Sequence, residues 1–153
     1  MAGGFSINTD NIEVFKEFLI KKYKSLIIEK ANCKILYLDS IILPTALNDK
    51  FYNNIDILSP FGIGNPEPKF LIENLKLANS NIVANRHIKA IFYSKSNDVV
   101  KAIAFNSIGT VLESCLVKNN KNSMNIAGTL KSNNFNGKNN IEFVINDISV
   151  KTI

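Results

Sequence analysis

The stretch Arg86-His87-Ile88-Lys89-Ala90-Ile91-Phe92-Tyr93 interleaves cations and rings with aliphatic residues at a spacing of two. In an extended strand alternate side chains point to opposite faces, so Ile88, Ala90 and Phe92 share one face and His87, Lys89, Ile91 and Tyr93 the other. Cations can grip a phosphate backbone, and an exposed ring can stack on a base for about 1–3 kcal/mol, so this is chemistry suited to a single-stranded nucleic acid. The candidates are Arg86, His87, Lys89 and Tyr93, with Lys101 on the next apolar run and Lys131, Phe135 and Lys138 around an Asn-Gly turn. Two of them have a second reading: His87 as a hydrogen-bonded structural residue, and Phe135 as a ring capping the end of the core. Phe92, Phe105 and Phe143 sit among aliphatic residues and read as core, while Lys118 and Lys121 read as solvating a loop.

Other chemistries lack their parts. The single histidine excludes a histidine-cluster metal site, and there is no G-x-S-x-G, P-loop or G-x-G-x-x-G. The carboxylates are scattered singly, so no catalytic residue, metal ligand or cofactor site is assigned. Cys33 and Cys115 lie far apart without metal-ligand spacing and read as small buried apolar residues. No apolar run approaches the roughly 20 residues of a membrane span and no signal-peptide pattern opens the chain, which makes a cytoplasmic protein the expectation.

The net charge of +5 is unevenly placed. Residues 1–58 hold 7 Lys against 7 acidic residues, whereas residues 59–153 hold 11 Lys and Arg against 6. A basic second half suits a polyanionic partner. All but one of the 18 basic residues are lysine, however, in a chain rich in Asn and Ile, which is also what an A+T-rich coding sequence yields.

The elements that must position these residues fall on either side of a corner at Leu58–Phe70. It carries three of the four prolines (Pro60, Pro66 and Pro68) and two of the seven glycines (Gly62 and Gly64), together with Phe61 and Asn65. Each proline fixes φ, removes a donor and drives the residue before it out of the helical region, so neither helix nor central strand can cross. Before the corner, Phe5–Ile7 alternates like a short strand. Asp10 and Glu13 resemble a capping box that opens a helix to about Lys24, with Ile12, Phe15, Leu19 and Tyr23 on one buried face. Lys34–Leu43 reads as one or two strands partnering Phe5–Ile7. Pro44 then opens a second helix with Leu47, Phe51, Ile55 and Leu58 in one stripe.

After the corner the period becomes two. Strands are expected at Phe70–Ala78, with Val83 as the alternative end, and at Arg86–Tyr93, Val99–Phe105, Met124–Asn133 and Asn140–Val150. Gly128 marks a bulge and Asn136-Gly137 a hairpin. Ser107–Val117 reads either as a short helix or as loop plus strand. Five short strands with a connection between the third and fourth are the plan of an OB-fold, a small Greek-key barrel. The expected organisation is thus an α+β segment at 1–58, a linker at 59–68 and an all-β barrel at 69–153.

P-F-G-I-G-N-P-E-P at 60–68, R-H-I-K at 86–89, A-I-A-F at 102–105 and N-F-N-G ahead of I-E-F-V-I-N-D-I at 141–148, in this order, resemble the C-terminal part of the RecJ single-stranded-DNA-specific exonucleases. M-A-G-G-F at the start resembles the tail of that family's Gly-Gly-His motif in the DHH-associated domain. The resemblance spans essentially the whole chain. It implies that residues 1–58 are the end of the DHH-associated domain and that the barrel binds single-stranded DNA. It also implies that a 5′ to 3′ exonuclease activity with Mn²⁺ or Mg²⁺ belongs to a catalytic DHH domain outside these residues. The expectation is a non-catalytic DNA-binding region, whose partners are single-stranded DNA and either the catalytic portion or a DNA-repair protein, with no membrane. The alternative is an OB module that docks a partner protein. A nuclease acting by itself is disfavoured, because no metal ligand carries over.

Overall fold

The computed structural model describes residues 4–30, 35–117, 122–135 and 138–151, with the side chains of 24–30, 134–135 and 138–139 outside that description. The chain divides into two compact units between Leu36 and Tyr37. In the first, helix α1 (Ile12–Lys30) follows a 3-10 turn at Thr9–Asn11. The cap is Asn8, whose side chain accepts the Asp10 N–H, and Glu13 instead pairs with Lys16 at 2.9 Å, so the expected Asp10 box does not form. Phe5–Ile7 is not a strand, since no neighbouring strand takes up its backbone groups. Its Phe5 ring meets Phe15 edge-on at 4.9 Å, and Phe15 stacks at 6.5 Å on Phe18. No side chain from Gly4 to Tyr23 is buried, so the apolar stripe of α1 is present while the expected burial is not.

The second unit is built on strands β2 (Phe70–Val83), β3 (His87–Tyr93), β4 (Val99–Ala104), β5 (Met124–Phe135) and β6 (Lys138–Val150). Antiparallel pairing runs β2–β3–β4, β6 pairs parallel to β4 and antiparallel to β5, and β5 returns to β2. That circuit closes a five-stranded mixed barrel, the OB plan expected from the pattern. Its core is the inward half of each alternation and includes Ile72, Leu75, Ile88, Phe92, Val100, Ile126 and Phe143. At Gly128 a Cβ would collide with the Val144 carbonyl and the Phe143 ring. Only glycine lets β5 coil this tightly against β6, where the register shifts between Ala127 and Gly128.

The ambiguous segment 107–117 resolves as helix α3 (Val111–Val117). Thr110 Oγ1 accepts the Leu112 N–H while Glu113 reaches back to the Gly109 N–H, a reciprocal cap that local sequence encodes. Leu116 enters the core, and the Leu116 carbonyl accepts a 2.7 Å hydrogen bond from Ser80 Oγ on β2. Cys115 is only half-buried; Cys33 lies outside the described residues.

Residues 37–58 lie in the same compact unit as the barrel. Of the described residues in the expected 34–43 strands, only Ser40–Ile41 forms a strand, β1, and it pairs parallel to β2 rather than with Phe5–Ile7. The cause is a contact across thirty positions of sequence: the Asp39 N–H donates to the Lys69 carbonyl and the Lys69 N–H donates to the Asp39 carboxylate, both at 2.8 Å, clamping the two strand entries. The second helix is broken into a 3-10 turn at Pro44–Ala46 and α2 (Asp49–Asp56), because the Asn48 side chain caps the Phe51 N–H and restarts it. Leu47, Phe51 and Ile55 then pack on the barrel core, while Leu58 stays exposed.

The proline-rich corner is a stapled turn. Gly62 and Asn65 exchange backbone hydrogen bonds of 2.8 and 3.2 Å, and Asn65 Nδ2 donates to the carbonyls of Leu58 (2.7 Å) and Pro60 (3.2 Å). The sequence F-G-I-G-N thus folds back on itself, leaving Ile63 fully exposed at the tip.

Candidate nucleic-acid interface

Strand register places the outward residues of β2, β3 and β4 in rows. Lys76, Tyr93 and Val99 form one row; Asn79, Ile91 and Lys101 the next; Asn81, Lys89 and Ile103 the third; and Val83 lies beside His87 in the last. Each row is separated from the next by two residues of strand, about 7 Å. The face is therefore basic and amide-rich along a track of about 20 Å on β3. The inward partners Ile88, Ala90 and Phe92 are fully or almost fully buried, as the alternation predicts.

The track is walled by the β5–β6 ribbon. Lys89 and Lys101 meet Asn133, Asn140 and Glu142 around a cavity of about 240 Å³. Glu142, on β6, is the acid of this groove: its carboxylate lies 3.6 Å from Lys89 Nζ and accepts a 3.4 Å hydrogen bond from Asn133. Only 17% of the Glu142 side chain is exposed, against 48% for Lys89. Glu142 thus orients Lys89 and offsets part of its charge, whereas Lys101 has no ion-pair partner among the described residues.

Of the residues expected from sequence, Lys89 and Lys101 come together in the groove, and Tyr93 stands on the same face two rows from Lys89. His87 begins β3 at the opposite end; its Nδ1 accepts the Asn106 N–H at 2.9 Å, so the hydrogen-bonded reading of this residue applies. Arg86 is exposed in the turn preceding β3. Lys131 is directed instead to Glu67 in the corner, at 3.9 Å. The side chains of Phe135 and Lys138, the Asn136-Gly137 turn, and Lys118 and Lys121 lie outside the described residues.

Phe105 corrects the sequence reading. Expected in the core with Phe92 and Phe143, it is 51% exposed, its ring edge-on to His87 at 5.2 Å. The run A-I-A-F places Ala104 inward, so Phe105 falls on the outer parity just past the end of β4; continuing the alternation from Ala102 would have found it. Asn79, Asn81 and Lys76 were also missed, since β2 carries register shifts that change which of its residues face outward.

Among the described residues no three His, Cys, Asp or Glu side chains converge on a point that could hold a metal ion. Among the described residues no helix is long and apolar enough to cross a membrane.

A family model described as the RecJ OB domain matches residues 38–147. The chain is similar to the crystal structure of Thermus thermophilus RecJ in complex with Mg²⁺, at 22% identity and a TM-score of 0.58 over 90% of this chain. It is likewise similar to the Mn²⁺ complex, at 23% identity and a TM-score of 0.56. This chain spans 21% and 20% of the length of those two. No curated protein sequence matches it.

Proposed function

The chain belongs to the RecJ OB domain family, and on that premise we propose that its barrel binds single-stranded DNA along the outer face of β3 and β4. The observation that carries this reading is the groove in which Lys89 and Lys101 lie beside Asn133, Asn140 and Glu142, on a face that also exposes Tyr93 and Phe105. Lysines there would contact phosphates, amides the base edges, and rings the base faces. In this reading the chain is the DNA-binding region of a RecJ-like 5′ to 3′ exonuclease acting in cytoplasmic DNA repair and recombination. Hydrolysis and its Mn²⁺ or Mg²⁺ then belong to a catalytic portion outside these residues.

The test is fluorescence anisotropy of labelled oligo-dT and of duplex of equal length, titrated with salt. Single-strand contacts predict log K falling with log salt by about 0.7 per phosphate contacted. Absence of binding at low salt, or no preference for the single strand, overturns the reading.

A second reading, a module that docks a partner protein, has one observation in its favour: Ile57, Leu58 and Ile63 expose apolar surface at 78%, 57% and 109% around the corner. It predicts that tagged protein captures a partner from nuclease-treated lysate while oligo-dT binding is negligible.

A further inference from the structure

A second concavity opens at the other end of β3, where it turns into β4. It has a volume of about 360 Å³ and is lined by Asn74, Lys76, Leu77, Tyr93, Ser94, Lys95 and Asn97. Lys76 and Tyr93 are register partners, so their side chains stand side by side on the outer face, and the ring is 43% exposed. Neither Lys76 nor Lys95 has an ion-pair partner among the described residues. Among the described residues no carboxylate lines the cavity. The acid of the adjoining turn, Asp98, is engaged with Ser94, whose Oγ donates to it at 2.9 Å and accepts the backbone N–H groups of Ser96 and Asp98. That network fixes the turn on which Lys95 and Asn97 sit.

The opposite wall is equally held. Asn74 adopts φ 59° at the register shift of β2; its N–H donates to Asn125 Oδ1 and its own Oδ1 accepts from Lys151 Nζ at 2.8 Å. The third cation is thereby brought to the rim. The lining thus combines a half-exposed ring, two ammonium groups without ion-pair partners among the described residues, side-chain amides and a fixed backbone, the groups that suit a planar base carrying a phosphate.

Resting on the reading of the β3–β4 groove as the path of a single strand, we propose that this pocket is a separate subsite for one nucleotide of that strand. The base stacks on Tyr93 and its phosphate is held between Lys76 and Lys95. Lys89 lies four residues before Tyr93, about 13 Å along the strand. The pocket therefore extends the contacted track beyond the groove and sets where the strand leaves the barrel.

The experiment measures affinity and salt dependence of the full chain for dT12, with circular dichroism to verify folding of each variant. Lys76→Ala with Lys95→Ala is expected to weaken binding about tenfold and to make the salt slope shallower by about 1.4, the loss of two phosphate contacts. Tyr93→Ala is expected to weaken binding at least fivefold, about the loss of one stacked base, while Tyr93→Phe retains affinity. The chain has no tryptophan, so quenching of tyrosine emission on binding, lost in Tyr93→Phe, reports the stack directly. If dT12 binds, is weakened by Lys89→Ala with Lys101→Ala, and is indifferent to the Lys76, Lys95 and Tyr93 variants, the subsite is refuted and the groove stands. If the unaltered chain does not bind dT12 at all, both fall.

Discussion

At the scale of single residues, the groove is a contest between lysines and one carboxylate. Glu142 holds Lys89 at 3.6 Å and takes Asn133 as a second partner, so a phosphate entering the groove must displace or tolerate it. Glu142→Gln keeps the shape and removes the charge. It is expected to tighten oligo-dT binding by a few-fold at low salt, because partly exposed pairs contribute only about 0–1 kcal/mol and Lys89 loses little in being released. Unchanged or weaker affinity by anisotropy would place the DNA elsewhere. Phe105→Ala is expected to lower affinity by about fivefold or more with little change in thermal stability, since the ring is half exposed; a large fall in melting temperature with unchanged affinity would return it to a structural role. The alternation along His87–Tyr93 was fully legible in sequence because seven successive residues obey one parity. Phe105 was not, because composition places a phenylalanine among alanines and isoleucines in the core, and only the parity of the strand end contradicts it.

At the scale of elements, Gly128 and Asn65 are the positions where one side chain decides local geometry. A Cβ at Gly128 has no room against Val144 and Phe143, so Gly128→Ala is expected to destabilise the barrel by about 1–3 kcal/mol, the cost of overpacking, read as a lower denaturation midpoint. A midpoint within error of the parent would mean that β5 and β6 can separate at no cost. The five strands and the bulge could be read from period and glycine placement. The break in the second helix could not, since Leu47, Phe51, Ile55 and Leu58 keep helical spacing across a site where the Asn48 cap restarts the helix. Nor could β1, whose two residues gain their register from the clamp between Asp39 and Lys69, thirty positions apart. Such contacts are non-local, and no windowed pattern contains them. Asn65→Ala removes the donor to the Leu58 and Pro60 carbonyls and is expected to cost about 1 kcal/mol; hydrogen exchange confined to the corner would register it.

At the scale of the molecule, the chain is a barrel unit from Tyr37 onward and a helical unit before it, and burial is concentrated in the former. Backbone amides of α1 are expected to exchange far faster than those of β3 and β5, because no buried side chain between Gly4 and Tyr23 opposes local opening. Equal protection in the two units would contradict this. The charge asymmetry of the sequence marks residues 59–153 as the basic half, yet it does not say which lysines converge. That depends on closure of the barrel, which brings residue 101 beside residues 133 and 140.

Closure itself is held unevenly. The β5–β6 ribbon is registered over twelve residue pairs, whereas β4 meets β6 through Ala102↔Phe143 and Ile103↔Val144 alone. The hoop therefore has a seam, and Lys101 and Glu142 are the residues immediately beside it. A strand of DNA laid from Lys101 to Asn140 would cross that seam as a strap, coupling occupancy of the surface to the integrity of the ring beneath. Ligand should then slow amide exchange at residues 102–103 and 143–144, the pairs that close the seam.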